Sequence, residues 1–141
     1  MKKQIFLLSA TLLLTVTALF AQNAKPVPGY IVSEFQKEFK NIDNVQWKTI
    51  GDLYKASFTN NGSQLEAYFS IEGDLAAVSR KLTVDQLPLA LTKEVKEKSI
   101  NYGLEDLFEL LTDNGTEYFM VIGNAKETKT YRSEGYDWVR Y

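Results

Sequence analysis

"LEAYFSIEGDLAAVSRK" occupies residues 65–81, and "KTYRSEGYDWVRY" occupies residues 129–141. In the first stretch Leu65, Ala67, Phe69 and Ile71 alternate with Glu66, Tyr68 and Ser70. This period of two, with one apolar face, predicts a strand in a sheet solvated on its other side. Glu72-Gly73-Asp74 then supplies a hairpin, because glycine reaches positive φ at little cost. The second stretch repeats the phrase: a shift of 62 residues lays Phe69 on Tyr131 and Glu72-Gly73 on Glu134-Gly135. Upstream, a shift of 64 lays Gly51 on Gly115 and Tyr54–Phe58 on Tyr118–Ile122. The two offsets predict a duplicated unit whose second copy lacks two residues of a hairpin, since surface connections tolerate deletion better than strands do. Chance similarity between two hairpin sheets is the alternative.

Working outward, each copy reads as one helix followed by about four antiparallel strands. In copy one, residues 29–82, Val32, Phe35, Phe39 and Ile42 recur at helical spacing and demand a sheet to cover. Strands are predicted at 45–50, 53–59, 64–71 and 75–81, with a turn at Asn61-Gly62. In copy two, residues 83–141, Thr83 and Gln86 fit a capping box that opens a helix, with Pro88 in its first turn and Leu87, Leu91 and Val95 as its stripe. Strands follow at 104–111, 117–122, 127–133 and 136–141. The fold class is α+β, a tandem repeat with helices packed on one face of an extended antiparallel sheet. Half-sheets joined edge to edge and half-sheets packed separately both fit the pattern.

The first residues, "MKKQIFLLSATLLLTVTALFAQNA", combine Lys2 and Lys3 with an apolar run and small residues after it. They predict a secretory signal peptide over residues 1–21, cleaved after Ala21 or alternatively after Ala24, and a periplasmic or secreted product with no membrane association after cleavage. The run is interrupted by Ser9, Thr11, Thr15 and Thr17, which disfavours a membrane anchor. Residues 22–28, "QNAKPVP", read as a flexible segment ahead of one domain over 29–141. Removing the leader takes both lysines, so the net charge moves from −2 to −4, with 14 basic and 18 acidic residues left. That balance disfavours nucleic acid and anionic lipid. The chain has no cysteine, so disulfides and a lipid-modified N-terminal cysteine are excluded.

Histidine is absent as well, which removes the commonest general base together with imidazole and thiolate metal ligands. Glu105-Asp106 and the Glu72, Asp74 turn are the carboxylate pairs; strand neighbours point to opposite faces, and acids flanking a turn glycine are solvated. No calcium loop or phosphate-binding glycine motif occurs. A non-enzymatic protein without cofactor or metal is therefore expected.

Recognition is the remaining function class. Phe119 and Val121 stand where the first copy has Lys55 and Ser57, with Phe108 and Leu110 beside them, so a face that was polar becomes apolar. A loop, the N-terminal segment or the other half-sheet covers it, or else it docks a protein, a peptide or a second copy in a homodimer. Tyr54, Phe58, Phe69, Tyr118, Tyr131 and Trp47 are assigned to the core. Tyr68, Tyr136, Trp138 and Tyr141 are candidates for anchoring a partner, and a polar edge strand near 128–133 for accepting a peptide strand. The expectation is an exported protein whose sheet surface binds, and in one version inhibits, a protein or peptide. Small-ligand or glycan binding by exposed sheet aromatics is the alternative.

The order "NVQWK", a "Y-x-A-x-F" strand, "EAYFSIEGDL" and an "LP-x-A-L-x-K-E-V" helix resembles the PepSY-like family of secreted and periplasmic proteins, related in fold to the β-lactamase inhibitor protein (BLIP). The resemblance spans Tyr30 to Tyr141, with Trp47, "AYFSIEGDL" and "LPLAL" its most specific parts. It implies a tandem α+β arrangement and an exported protein. Inhibition belongs to the structurally similar inhibitor, and no inhibitory motif of its kind falls on a numbered residue here.

Overall fold

The computed structural model of the protein describes residues 26–141. The leader expected over 1–21, and residues 22–25 of the segment after it, lie outside the described residues. Pro26–Pro28 lead into the first helix, with Val27 packed against its core.

Two helices and eight strands follow: α1 (Gly29–Glu38), β1 (Gln46–Ile50), β2 (Leu53–Asn60), β3 (Ser63–Ser70), β4 (Leu75–Lys81), α2 (Leu89–Lys98), β5 (Gly103–Thr112), β6 (Gly115–Gly123), β7 (Thr128–Glu134) and β8 (Asp137–Arg140). All eight strands form one antiparallel sheet in chain order. The half-sheets join edge to edge, because Val78–Lys81 of β4 pair with Phe108–Leu111 of β5. Hairpin chemistry explains the meander: Asn61 (φ 48) and Gly62 (φ 78) both take positive φ, the conformation a two-residue turn needs to match strand twist. No helix among the described residues is long and apolar enough to cross a membrane.

Cross-strand partners share a face, so the register sorts the side chains. Ala56 opposes Ala67, and Tyr54 opposes Phe69. Ile31 and Phe35 of α1 pack on this side, in a core with Ala56, Phe58, Ala67 and Phe69. Leu107 opposes Met120, which opposes Tyr131. Leu91 and Val95 of α2 pack there, with Leu107, Met120, Ile122 and Trp138. Tracing the register from Ala67 through Val78 and Leu111 places both cores on the same side of the sheet. Burial of each large apolar side chain here stabilises by ~1.5–3 kcal/mol.

Four sequence expectations need correction. Thr83 and Gln86 do form a capping box, but it closes a separate 3₁₀ turn over Val84–Gln86. Pro88 is the N-cap residue of α2 and not part of its first turn, since its φ of −51 and ψ of 135 are not helical. In α1 the most deeply buried residues are Ile31 and Phe35, while Val32 is half-buried, so the stripe starts one residue earlier than the pattern predicts. The repeat offsets also do not mean a shortened hairpin. Residues 124–127 between β6 and β7 outnumber Asn61-Gly62 between β2 and β3, and Asn124 Oδ1 folds them by accepting the N–H groups of Lys126 (2.9 Å) and Glu127 (3.1 Å). Tyr131 faces Met120 and not Tyr118, so the two alignments differ by one step of the pleat.

Candidate functional site

The sheet face away from the helices carries rows of side chains fixed by register. One row runs Gln46, Ser57, Glu66, Ser79, Leu110, Glu117. A neighbouring row runs Lys81, Phe108, Phe119, Arg132, Val139. The first half of the face is polar around Gln46, Ser57, Glu66 and Ser79 and apolar where Ile50, Leu53, Tyr68 and Ala77 lie; its second half is apolar at the centre and mixed at the β8 edge.

Tyr68, Ala77, Phe108, Leu110 and Phe119 form a buried cluster on this face, with Ile50, Leu53 and Val121 packed around it. Both helices lie on the opposite side, packed on the other two cores. Phe108 and Phe119 stack with centroids 5.2 Å apart. Tyr141 meets Phe119 edge-on at 5.9 Å, and the Arg132 guanidinium lies 5.7 Å from the Tyr141 ring. Arg132 also stands 3.7 Å from both Glu117 and Glu134.

Toward β1 the same face opens into a groove of about 940 Å³, lined by Gln46, Ser57, Glu66, Ser79, Lys81 and Asp106, with Asn41, Asn44, Asn60 and Asn61 at its rim. The rim turns sharply because Asn41 and Asn44 sit at φ near 58 and 57, a region in which asparagine is tolerated. Lys81 and Asp106 face each other at 3.5 Å. Glu66 accepts hydrogen bonds from Lys55 Nζ (2.6 Å), Tyr68 Oη (2.7 Å) and Ser57 Oγ (3.4 Å). Burial alone would raise the Glu66 pKa, but these hydrogen bonds and the Lys55 charge outweigh it and hold the carboxyl below its ordinary value. Burial first, then Glu66, pushes the Tyr68 phenol well above its ordinary value, so it stays a neutral donor.

That arrangement fixes a pH dependence. A carboxyl with a folded-state pKa below its unfolded value stabilises the fold above the unfolded pKa of about 4.3, and the contribution is lost as pH falls through the folded value. Glu66→Gln is therefore expected to melt below wild type at pH 7, with the gap closing as pH drops below about 4. Thermal melts of both proteins from pH 7 to pH 3 check this; a gap that stays constant contradicts it.

The predicted binding residues separate. Phe119, Val121 and Tyr141 share the helix-free face, and Tyr141 is 45% exposed. Tyr68 lies on that face but is 2% exposed, its ring in the apolar cluster and its hydroxyl on Glu66. Phe119 is likewise buried and supports the surface from beneath. Tyr136, 77% exposed, stands apart at the β7–β8 turn. Trp138 is not a surface anchor: it belongs to the α2 core, where its Nε1–H donates to the Leu91 carbonyl at 3.1 Å. Nor is 128–133 an edge, because β7 pairs with β6 and β8, leaving β1 and β8 outermost. Pattern reading missed Arg132, Val139 and the groove amides. Period two on β8 carried a usable signal, since it places Val139 with Tyr141 and opposite Trp138.

The carboxylate pairs do not converge. Asp106 faces Lys81, while Glu105 lies at a register shift and extends over Gly123, where an added Cβ would meet its Oε1. Ser70 Oγ accepts the N–H groups of Glu72 and Asp74 and so builds the β3–β4 turn. Among the described residues no group of three or more metal-ligating side chains gathers.

No protein-family model matches the chain, and no curated protein does. Solved structures do. The chain is similar to a BLIP-like protein from Bacteroides fragilis NCTC 9343, with TM-score 0.67 and 20% identity over 84% of this chain and 88% of that one. It is similar to a DUF2874 family protein from Bacteroides ovatus ATCC 8483, with TM-score 0.65 and 18% identity over 77% and 79%. A Bacteroides eggerthii DSM 20697 protein, provisionally described as periplasmic, gives TM-score 0.67 and 14% identity over 77% and 80%. The fold is therefore BLIP-like, an α+β arrangement of two helices and one eight-stranded antiparallel sheet.

Proposed function

We propose that this chain is an exported, non-catalytic binding protein, built from two copies of a PepSY-like helix-and-four-strand unit. Its helix-free face recognises a protein or peptide, whose activity is inhibited where the bound segment is functional. The observation that carries the reading is the strip from Phe108 through Phe119 to the exposed Tyr141, flanked by Arg132 and by Val139, which is 42% exposed. Buried rings hold the exposed ones in place, and Tyr and Arg are the side chains that concentrate binding energy at the centres of interfaces. The leader-like segment supports export.

Capture from a periplasmic or culture-supernatant extract tests this. A stoichiometric polypeptide is expected on wild type and on Leu89→Ser, which alters the helix side. Tyr141→Ala is expected to weaken capture by ~2 kcal/mol, about 30-fold, as for a central anchor. Equal capture by wild type and Tyr141→Ala, with loss on Leu89→Ser, overturns the reading. A second reading, a saccharide in the groove, is favoured by the amide and hydroxyl groups lining it. Calorimetric titration with oligosaccharides, compared with Gln46→Ala, separates the two.

A further inference from the structure

We infer that β8 pairs antiparallel with β8 of a second copy, on a two-fold axis through Val139. The inference goes beyond the partner reading and does not depend on it. β8 is an outer strand of the sheet among the described residues. Tyr141 N–H donates to the Thr130 carbonyl at 2.9 Å, and Val139 pairs with Arg132. By the two-residue alternation of an antiparallel ladder, the main-chain groups of Tyr141 and Val139 point toward β7, and those of Trp138 and Arg140 point outward.

A two-fold axis at Val139 sets Trp138 of one copy opposite Arg140 of the other, twice, and satisfies the four outward N–H and C=O groups that these residues carry in each copy. The two Val139 residues then form the close, non-hydrogen-bonded pair, with Cα atoms about 4.5 Å apart. Tyr141 falls opposite Asp137 of the other copy on the same face. A slip of one residue would put the helix side of one copy against the helix-free side of the other. A slip of two residues in one direction would oppose the two Arg140 side chains.

The other outer strand is different. On its helix-free face β1 carries exposed Lys48 at its centre, and self-pairing there would oppose two ammonium groups, a common way in which edges are kept single. β8 instead presents exposed Val139 at the same place. The apolar strip that starts at Phe108 also reaches this edge, so the pairing continues it from one copy into the next. The strand is only four residues long, so the association is weak and concentration-dependent.

Cross-linking tests the inference, because the chain has no native cysteine. With oxidised glutathione as electron acceptor, two Val139→Cys thiols lose their protons and become one disulfide, releasing two glutathione thiols. The full chain carrying Val139→Cys is expected to cross-link at least tenfold faster than the same chain carrying Lys48→Cys. Equal rates overturn the inference. Arg140→Pro removes one outward N–H per copy and leaves the ladder to β7 intact. It is expected to abolish the concentration-dependent rise in mass seen by light scattering, with an unchanged melting temperature. A wild type that stays monomeric to millimolar concentration, or an Arg140→Pro protein that associates as wild type does, overturns it. None of these outcomes involves an external partner, so failure here leaves the partner reading standing.

Discussion

Phe35→Ala is expected to destabilise the protein by about 4 kcal/mol, within the ~3–5 kcal/mol typical of deleting a buried phenylalanine ring. The side chain is 2% exposed, and its ring meets four others: Phe58 at 5.0 Å, Phe39 at 5.1 Å, Trp47 at 5.5 Å and Phe69 at 6.3 Å. The edge-on contacts with Phe58 and Trp47 are each worth ~0.5–1.5 kcal/mol beyond the area they bury. Those rings come from the residue that caps the C-terminus of α1 and from β1, β2 and β3, so a void at Phe35 loosens the attachment of α1 to the first half of the sheet. A domain of this size holds only ~5–15 kcal/mol in total, and 1 kcal/mol moves the midpoint by roughly 4 °C or more. A fall in melting temperature of roughly 15 °C is therefore expected by far-ultraviolet circular dichroism. A fall of less than about 5 °C would mean that α1 is not anchored as described.

Trp138→Ala is expected to be as severe, for a different reason. The indole is 4% exposed under α2, and its N–H is bonded to the Leu91 carbonyl, so the residue ties β8 to the second helix. Truncation removes a large ring at ~3–5 kcal/mol and also one buried hydrogen bond, worth ~0.5–1.5 kcal/mol. Trp138→Phe separates the two, because it keeps most of the packing and loses the bond; a loss of about 1–2 kcal/mol in urea melts is expected. The contrast with Tyr136→Ala, two residues away and exposed, gives the test its sign. If Tyr136→Ala destabilised the protein more than Trp138→Ala, the placement of β8 would be wrong.

Much of this architecture was legible in local pattern. Alternation in Leu65–Ile71 and the turns at Asn61-Gly62, Gly73 and Gly135 placed strands to within one or two residues, because period and positive φ are local properties. The joining of β4 to β5 was not legible, since it depends on residues 78–81 meeting 108–111 across an intervening helix. The start of α2 was misplaced because a capping box closes a single 3₁₀ turn as well as it opens a helix. The site was read less well than the fold. Phe119 and Val121 stand out in the sequence because they break the polar pattern of the first copy. Trp138 was misread as an anchor, because composition marks an indole as adhesive without saying which side of a short strand it occupies. The groove could not be read at all: Asn41 and Asn44 come to line one groove with Glu66 and Lys81 only through the path of the α1–β1 loop.

Recognition on the helix-free face is the central claim, and side-chain footprinting tests it most directly. Hydroxyl-radical labelling of the protein alone and with its captured polypeptide would compare Tyr141 and Val139 on that face with Tyr30 and Leu89 on the helices, all four exposed in the free protein. Labelling of Tyr141 and Val139 is expected to fall several-fold on binding, with Tyr30 and Leu89 unchanged. Protection of Tyr30 and Leu89 with Tyr141 and Val139 still fully labelled would contradict the account.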